Sequence, residues 1–498
     1  MRILVLSIAF VAMTAQAATI ETTVGPVTGI SEHDVLAFKG IPYAQPPVSK
    51  LRWQAPQPAR KSRKPVDAST YGAACPQPLN PEREVTNTGE DCLNLNVWTP
   101  EIDDRSRPVM VWIHGGGFRT GSNRIPGHVL ARQNAVVVSI NYRLGPLGFF
   151  AHEALKSTEA NFGLMDMTLA LEWVRDNIQK FGGNPHNVTI FGVSAGGMAV
   201  DLLMVHEPAR GLFHRAIAQS GYATWALPRS ARAPAPTPLS MDLKDAASAE
   251  EIARNLVAKL TDRKQNRRTL TRLDAQALAD AVEGFHVPIV DGTSLAAEPA
   301  VLFARGKQAD VPFMTGGNSF EGSVMPASGF SEDGYQEMLG ADFETLKAAY
   351  ADDFAQSESL GIQRMFGDNR YLLSSQRLGA AMTSKASNAY LYYIALGPNQ
   401  RQLGWPGTPH GYDYYLLFLG QDDDNQSLRN LSVRMQQYWL EFARTGRPKV
   451  EGLPDWFAYH PESDHWLVFG ERDALRSGVL AEKLRLLGRR YDKRFAER

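Results

Sequence analysis

Residues 187–200 read NVTIFGVSAGGMAV. A β-branched, apolar run gives way to a single serine, Ser194, with Gly192 and Gly196 two positions to either side. Two readings compete. In one, Ser194 caps the helix that follows. In the other, G-x-S-x-G is a cramped strand-to-helix turn that holds the serine oxygen out at the top of a sheet, as a nucleophile elbow does. A pentapeptide is too short to choose between them, so the surrounding chain decides.

RPVMVWIHGG (107–116) and AVVVSINYR (135–143) are continuous apolar runs, the pattern of strands covered on both faces. DMTLALEWVRDNIQKFGG (166–183) has helical spacing, with Leu169, Trp173, Ile178 and Phe181 on one face and Gly182 as its stop. NVTIFG is the next strand, AGGMAVDLLMVH the next helix, and FHRAIAQSG (213–221) a further strand. Such alternation predicts an α/β fold with a large, mostly parallel central sheet flanked by helices. Residues 226–240, ALPRSARAPAPTPLS, then read as a proline-rich loop, and a polar, helix-rich stretch runs to about residue 310. That segment, about 226–310, is expected to be a cap-like insertion. Strands return in VPFMTGG (311–317) and NAYLYYIALG (388–397), with HWLVFG (465–470) as a last edge strand. No internal repeat divides the chain, so residues 18–498 are expected to form one domain.

Basic and acidic residues balance at 52 and 53, which speaks against a nucleic-acid or polyanion partner. The first residues have the layout of an export signal: Arg2, an apolar run from Ile3 to Met13, and Ala15-Gln16-Ala17 as the cleavage site. The run is too short to span a bilayer. The expectation is a secreted or periplasmic protein cut after Ala17, without a membrane anchor. Cys75 and Cys92, the only cysteines, favour a disulfide in that setting. No His or Cys spacing suggests a metal site. Asn187, Asn425 and Asn430 open N-x-S/T sequons, the first at the head of a predicted buried strand.

A nucleophilic serine needs oxyanion donors, a base, and an acid that orients the base. HGGGF (114–118) ends an apolar strand, and its glycines let backbone N–H groups approach a substrate oxygen. A phosphate loop is the rival reading, but Ser122 stands where its lysine is required. The N–H of Ala195 completes the expected hole. Among histidines after Ser194, His206 and His214 follow the nucleophile immediately, and His460 and His465 flank a polar turn. His410, in GTPHGYD on a Gly/Pro-rich loop after AYLYYIALG, is where the base belongs. The first carboxylate beyond VPFMTGG is Glu321, in GNSFEGS, which makes it the expected acid.

VTGISEHDVLAFKGIPYAQPPVSKLRW (27–53), EDCLNLNVWTP (90–100), VWIHGGGF (111–118), the stretch from Asn161 to Gly197, and HGYDYYLLF (410–418) occur in one order. Together they resemble the type-B carboxylesterases, the group of cholinesterases and bacterial para-nitrobenzyl-esterase-like enzymes, over about residues 21–460. The resemblance implies an α/β-hydrolase fold with inserted gorge-forming helices. It also implies a Ser194–Glu321–His410 triad, an oxyanion hole from Gly116, Gly117 and Ala195, and the family's first disulfide at Cys75–Cys92. Val193 departs from the glutamate usual before the serine, Phe320 from the usual acid before Glu321, and Ser49 from a usual glycine.

The expected activity is hydrolysis of a small-molecule carboxylic ester through an acyl-enzyme, with no cofactor. An amidase or peptidase would use the same triad. A non-catalytic interaction protein on this scaffold would be expected to lack the nucleophile. Arg119, next to the oxyanion glycines, either turns outward to an acid or faces the gorge. In the second case it favours carboxylate-bearing esters, with Phe118, Tyr222, Trp225 and Trp405 as apolar walls.

Overall fold

The computed structural model describes residues 18–79, 85–233, 239, 246–397, 400 and 404–496. The expected export signal, 1–17, and part of the proline-rich loop therefore lie outside the described residues. Thirteen strands form one sheet. They are β1 (Ala18–Thr22), β2 (Gly25–Glu32), β3 (Val35–Pro42), β4 (Val66–Asp67), β5 (Asn94–Thr99) and β6 (Arg107–Ile113). Next come β7 (Val136–Ile140), β8 (Gly183–Val193), β9 (Arg215–Gln219) and β10 (Phe313–Asn318). The last are β11 (Ala389–Ile394), β12 (His465–Phe469) and β13 (Ala474–Ser477). The spatial order is β1-β2-β3-β5-β7-β6-β8-β9-β10-β11-β12-β13, with β4 beside β2. From β7 through β12 every neighbour is parallel, while the flanking pairs are antiparallel apart from β4, which runs parallel to β2.

The continuous apolar runs have a direct cause. Along β6, Val109, Val111 and Ile113 enter a core shared with helices Phe162–Asn177 and Ala195–Val205, while Met110 and Trp112 enter a second core against helix Gln426–Thr445. Both faces are dry, so no polar position interrupts the strand. The first helix ends at Asn177 and tightens into a 3-10 turn, Ile178–Phe181, and it is this turn that stops where Gly182 adopts φ 76°.

Two expectations need correction or extension. β12 is not the edge, because β13 pairs outside it antiparallel. Helices also fill more than the stretch before residue 310: six further helices lie between Met325 and Met382, joining β10 to β11. Among the described residues, the helices of the earlier segment include Ala249–Ala258, Arg267–Leu270, Ala275–Asp280 and Pro299–Ala304.

Candidate active site

Parallel strands point the same way, so the loops leaving β8, β9, β10 and β11 gather at one edge of the sheet. Ser194 leaves β8 with φ 60° and ψ −119°, a conformation that costs a non-glycine residue of order 1–3 kcal/mol. Its surroundings hold it there. The Ser194 N–H donates to the Gln219 carbonyl and its own carbonyl accepts from Met198 N–H, both at 2.8 Å. A Cβ on Gly196 would lie 2.1 Å from the Ile113 carbonyl oxygen, and one on Gly192 2.4 Å from the same atom. Only glycine lets strand and helix approach so closely. The Ser194 side chain makes no capping hydrogen bond, so the helix-cap reading fails.

Glu321 and His410 meet across 89 residues of chain: the Glu321 carboxylate accepts from His410 Nδ1. Its other oxygen, Oε1, accepts from Ser220 Oγ at 2.6 Å, Asn318 N at 2.6 Å and Asn318 Nδ2 at 3.0 Å. Burial pushes this carboxyl's pKa up, but attraction to His410 and bonds from His410, Ser220 and Asn318 outweigh it. The net shift is downward, so the group stays ionised. His410 is held by a bond from its N–H to Ser323 Oγ and by a bridge between Phe320 and Pro409. Its Nε2 is buried and has no hydrogen-bond partner among the described residues.

The glycine loop sits directly beside the elbow, since a Cβ on Gly115 would lie 3.2 Å from Ser194 Cβ. Gly116 and Gly117 have φ of 105° and 62°, values that suit glycine. No described acceptor takes up their N–H groups, and Ala195, the first residue of its helix, has no carbonyl one turn back to bond. Gln77 brackets the far end of the loop, accepting from Gly121 N–H and donating to the Gly121 carbonyl, each at 2.8 Å. Gln77 lies two residues after Cys75, which is bonded to Cys92. His114, stacked on Tyr142 at 4.4 Å, underlies the loop, and burial pulls its pKa down to about 4.

The expected wall residues divide. Phe118 is fully buried, packed edge-on to Phe149 behind the loop. Trp405 is 41% exposed and lies near Phe320. Tyr222 and Trp225 join an aromatic group with Phe330, Phe366 and Tyr371. Arg119 donates to the Gly284 carbonyl at 3.3 Å, with Asp280 and Glu283 near enough to act on its charge. Val193 packs in the second apolar core with Phe191 and Trp112. Ser220, Asn318 and Tyr371, whose ring lies 4.6 Å from that of His410, were not singled out from the sequence. Ser220 stands in QSG just past the β9 run, a small polar residue at the same sheet edge as the elbow, and that placement was its only signal.

A mostly parallel sheet with a serine elbow after β8 and a carboxylate-held histidine beyond β11 is an α/β-hydrolase fold. The chain belongs to the carboxylesterase family, whose profile matches residues 16–487, and it is a serine enzyme acting on carboxylic ester bonds. It is 31% identical to the para-nitrobenzyl esterase of Bacillus subtilis (strain 168), over 95% of this chain and 98% of that one. It is also 31% identical to the fumonisin B1 esterase of Sphingopyxis macrogoltabida, over 91% and 84%. A thermophilic PNB esterase structure superposes with a TM-score of 0.80 at 29% identity, covering 94% of this chain and 99% of its own.

Proposed function

We propose that this carboxylesterase works through an acyl-enzyme formed on Ser194, with His410 as base and Glu321 orienting it. The observation that carries the reading is the His410 ring: one nitrogen is bound to a buried, ionised carboxylate, while the other is buried and unpartnered at the edge of the sheet where Ser194 is held. In the reaction, Nε2 takes the Ser194 hydroxyl proton as Oγ attacks the ester carbonyl. The carbonyl oxygen becomes an anion, which the N–H groups of Gly116, Gly117 and Ala195 receive. His410 then gives its proton to the departing alcohol. Water, deprotonated by the same nitrogen, attacks the acyl carbon, the acyl–Oγ bond breaks, and His410 returns its proton to Ser194 Oγ as the acid leaves. Glu321 stabilises the imidazolium at both stages without taking its proton.

Export is part of the proposal, supported by the signal-like N-terminus and the Cys75–Cys92 bond. No helix among the described residues is long and apolar enough to cross a membrane. The expected preference for carboxylate-bearing esters stands as a proposal about substrate class. Arg119 lends it limited support, because its guanidinium donates to the Gly284 carbonyl and feels the charges of Asp280 and Glu283.

The test is a rapid-mix assay with 4-nitrophenyl acetate. An acyl-enzyme that accumulates releases a burst of 4-nitrophenol near one equivalent per enzyme before the steady rate, and Ser194→Ala abolishes both phases. Full turnover in Ser194→Ala would refute the reading. The matching 4-nitroanilide, cleaved as fast as the ester, would favour an amidase instead.

A further inference from the structure

Arg370 is a buried cation with no counter-charge among the described residues. It lies on the π-helical turn Asp368–Leu372, between helices Glu358–Gly367 and Leu373–Met382, and is 2% exposed. π-Helical turns are often retained at functional sites. Its guanidinium carbon sits 4.3 Å over the Tyr222 ring and 4.4 Å over Trp225, with Tyr371, Phe330 and Phe366 within 5.9 Å. It forms no ion pair with any described residue. Among the described residues its Nε has no hydrogen-bond partner, and the buried Tyr222 and Tyr371 hydroxyls beside it have no partner other than the guanidinium itself.

A charge removed from water without a partner is costly, and aromatic faces offset only part of that cost. They also constrain geometry. Aromatic rings cannot accept in the plane of a guanidinium, whose planar fork of N–H donors matches a carboxylate. Carboxylates nearby do not fill the role. Glu321 is engaged by His410, Ser220 and Asn318. Asp201, whose charge reaches Tyr222, is wholly buried, and burial raises its pKa far above the carboxylate range. Burial likewise raises both tyrosines, Tyr222 to about 12, so each keeps its O–H to donate. This donor group lies one ring from the chemistry, because Tyr371 packs against His410 at 4.6 Å and against Tyr222 at 5.8 Å.

We propose that Arg370, with the Tyr222 and Tyr371 hydroxyls, binds a free carboxylate carried by the ester substrate. The proposal rests on reading Ser194 and His410 as the esterase site, and it names Arg370 rather than Arg119 as the specificity cation. Trp225 and Phe330 are the partly exposed members of this ring group, the side from which a ligand would approach.

The test compares kcat/KM for mono-4-nitrophenyl adipate with that for its neutral isostere, 4-nitrophenyl adipamate, at low salt. Wild type prefers the carboxylate ester by about tenfold or more, as a charge-assisted bidentate contact allows. In Arg370→Met that ratio falls to near one, mainly through KM, and Arg370→Lys keeps part of it. Arg119→Ala keeps most of it. No preference in wild type, or a ratio unchanged by Arg370→Met, overturns the proposal. Should Arg370→Met fail to fold, inhibition of 4-nitrophenyl butyrate hydrolysis decides: adipate inhibits wild type far better than hexanoate, and Arg370→Lys weakens adipate. Equal inhibition by the two acids would assign Arg370 to the product's own carboxylate and overturn the proposal. Failure to hydrolyse any of the three esters would instead count against the triad reading.

Discussion

At the scale of single residues, the site depends on groups that do no chemistry. Ser220 donates to the Glu321 oxygen that does not face His410, and so fixes the carboxylate from behind. Removing one hydrogen bond to a charged, buried group costs about 1.5–3 kcal/mol. Ser220→Ala is therefore expected to lower kcat some ten- to hundredfold while KM for a neutral ester stays within twofold. Steady-state kinetics checks this, and a KM effect without a kcat effect would contradict it. His114 gives a second residue-scale prediction. Its folded pKa, about 4, lies below the ordinary 6.5 because burial disfavours the cation. The unfolded chain thus binds the proton more readily between these values, and stability falls as pH drops from about 6.5 toward 4. By pH 5 the loss attributable to this residue is about 2 kcal/mol. Urea titrations of wild type and His114→Gln at pH 7 and pH 5 measure it; equal losses in both proteins would mean His114 contributes nothing. Ser194, Glu321 and His410 were legible because each follows a recognisable strand in a fixed order. Arg370 was not: a charged residue in a helical stretch reads as solvated, and only the fold reveals that five aromatic rings enclose it.

At the scale of elements, the elbow and the glycine loop are positioned by contacts that the local pattern already implied. Gly196→Ala would set a Cβ 2.1 Å from the Ile113 carbonyl, forcing helix Ala195–Val205 away from β6. The expected result is destabilisation of several kcal/mol, within the range of buried steric clashes, and loss of ester hydrolysis. Thermal melts and activity together test it, and a variant with wild-type Tm and rate would contradict the close approach. The disulfide acts on the same elements from the other side. Cys75 and Cys92 close a loop of 17 residues, worth roughly 3 kcal/mol through the unfolded chain. Because Gln77 ties this loop to Gly121, Cys75→Ser is expected to lower both Tm and kcat. A fall in Tm with kcat intact would separate the bond from the glycine loop. The central strands were readable because both their faces are apolar. The antiparallel strands β1 to β3 and the outer strand β13 carried no comparable signal: their burial alternates or is partial, and β13 reads ALRS, with no apolar run at all.

At the scale of the whole molecule, strand order accounts for the site. Loops after β8, β9, β10 and β11 bring Ser194, Ser220, Glu321 and His410 to one edge although more than 200 residues separate the first from the last. The helical segments after β9 and after β10 then close over that edge, placing Phe285 against Gly117 and the aromatic group around Arg370. If the chain is exported, the purified secreted protein begins at Ala18 by N-terminal sequencing; a start at Met1 in the exported fraction would contradict the cleavage. The central claim is that Ser194 is the nucleophile, and labelling tests it most directly. Treatment with a fluorophosphonate should add one phosphonyl group per chain, found on the peptide that contains Ser194, and Ser194→Ala should take up none. A stoichiometric adduct on any other residue, or undiminished labelling of Ser194→Ala, would contradict it.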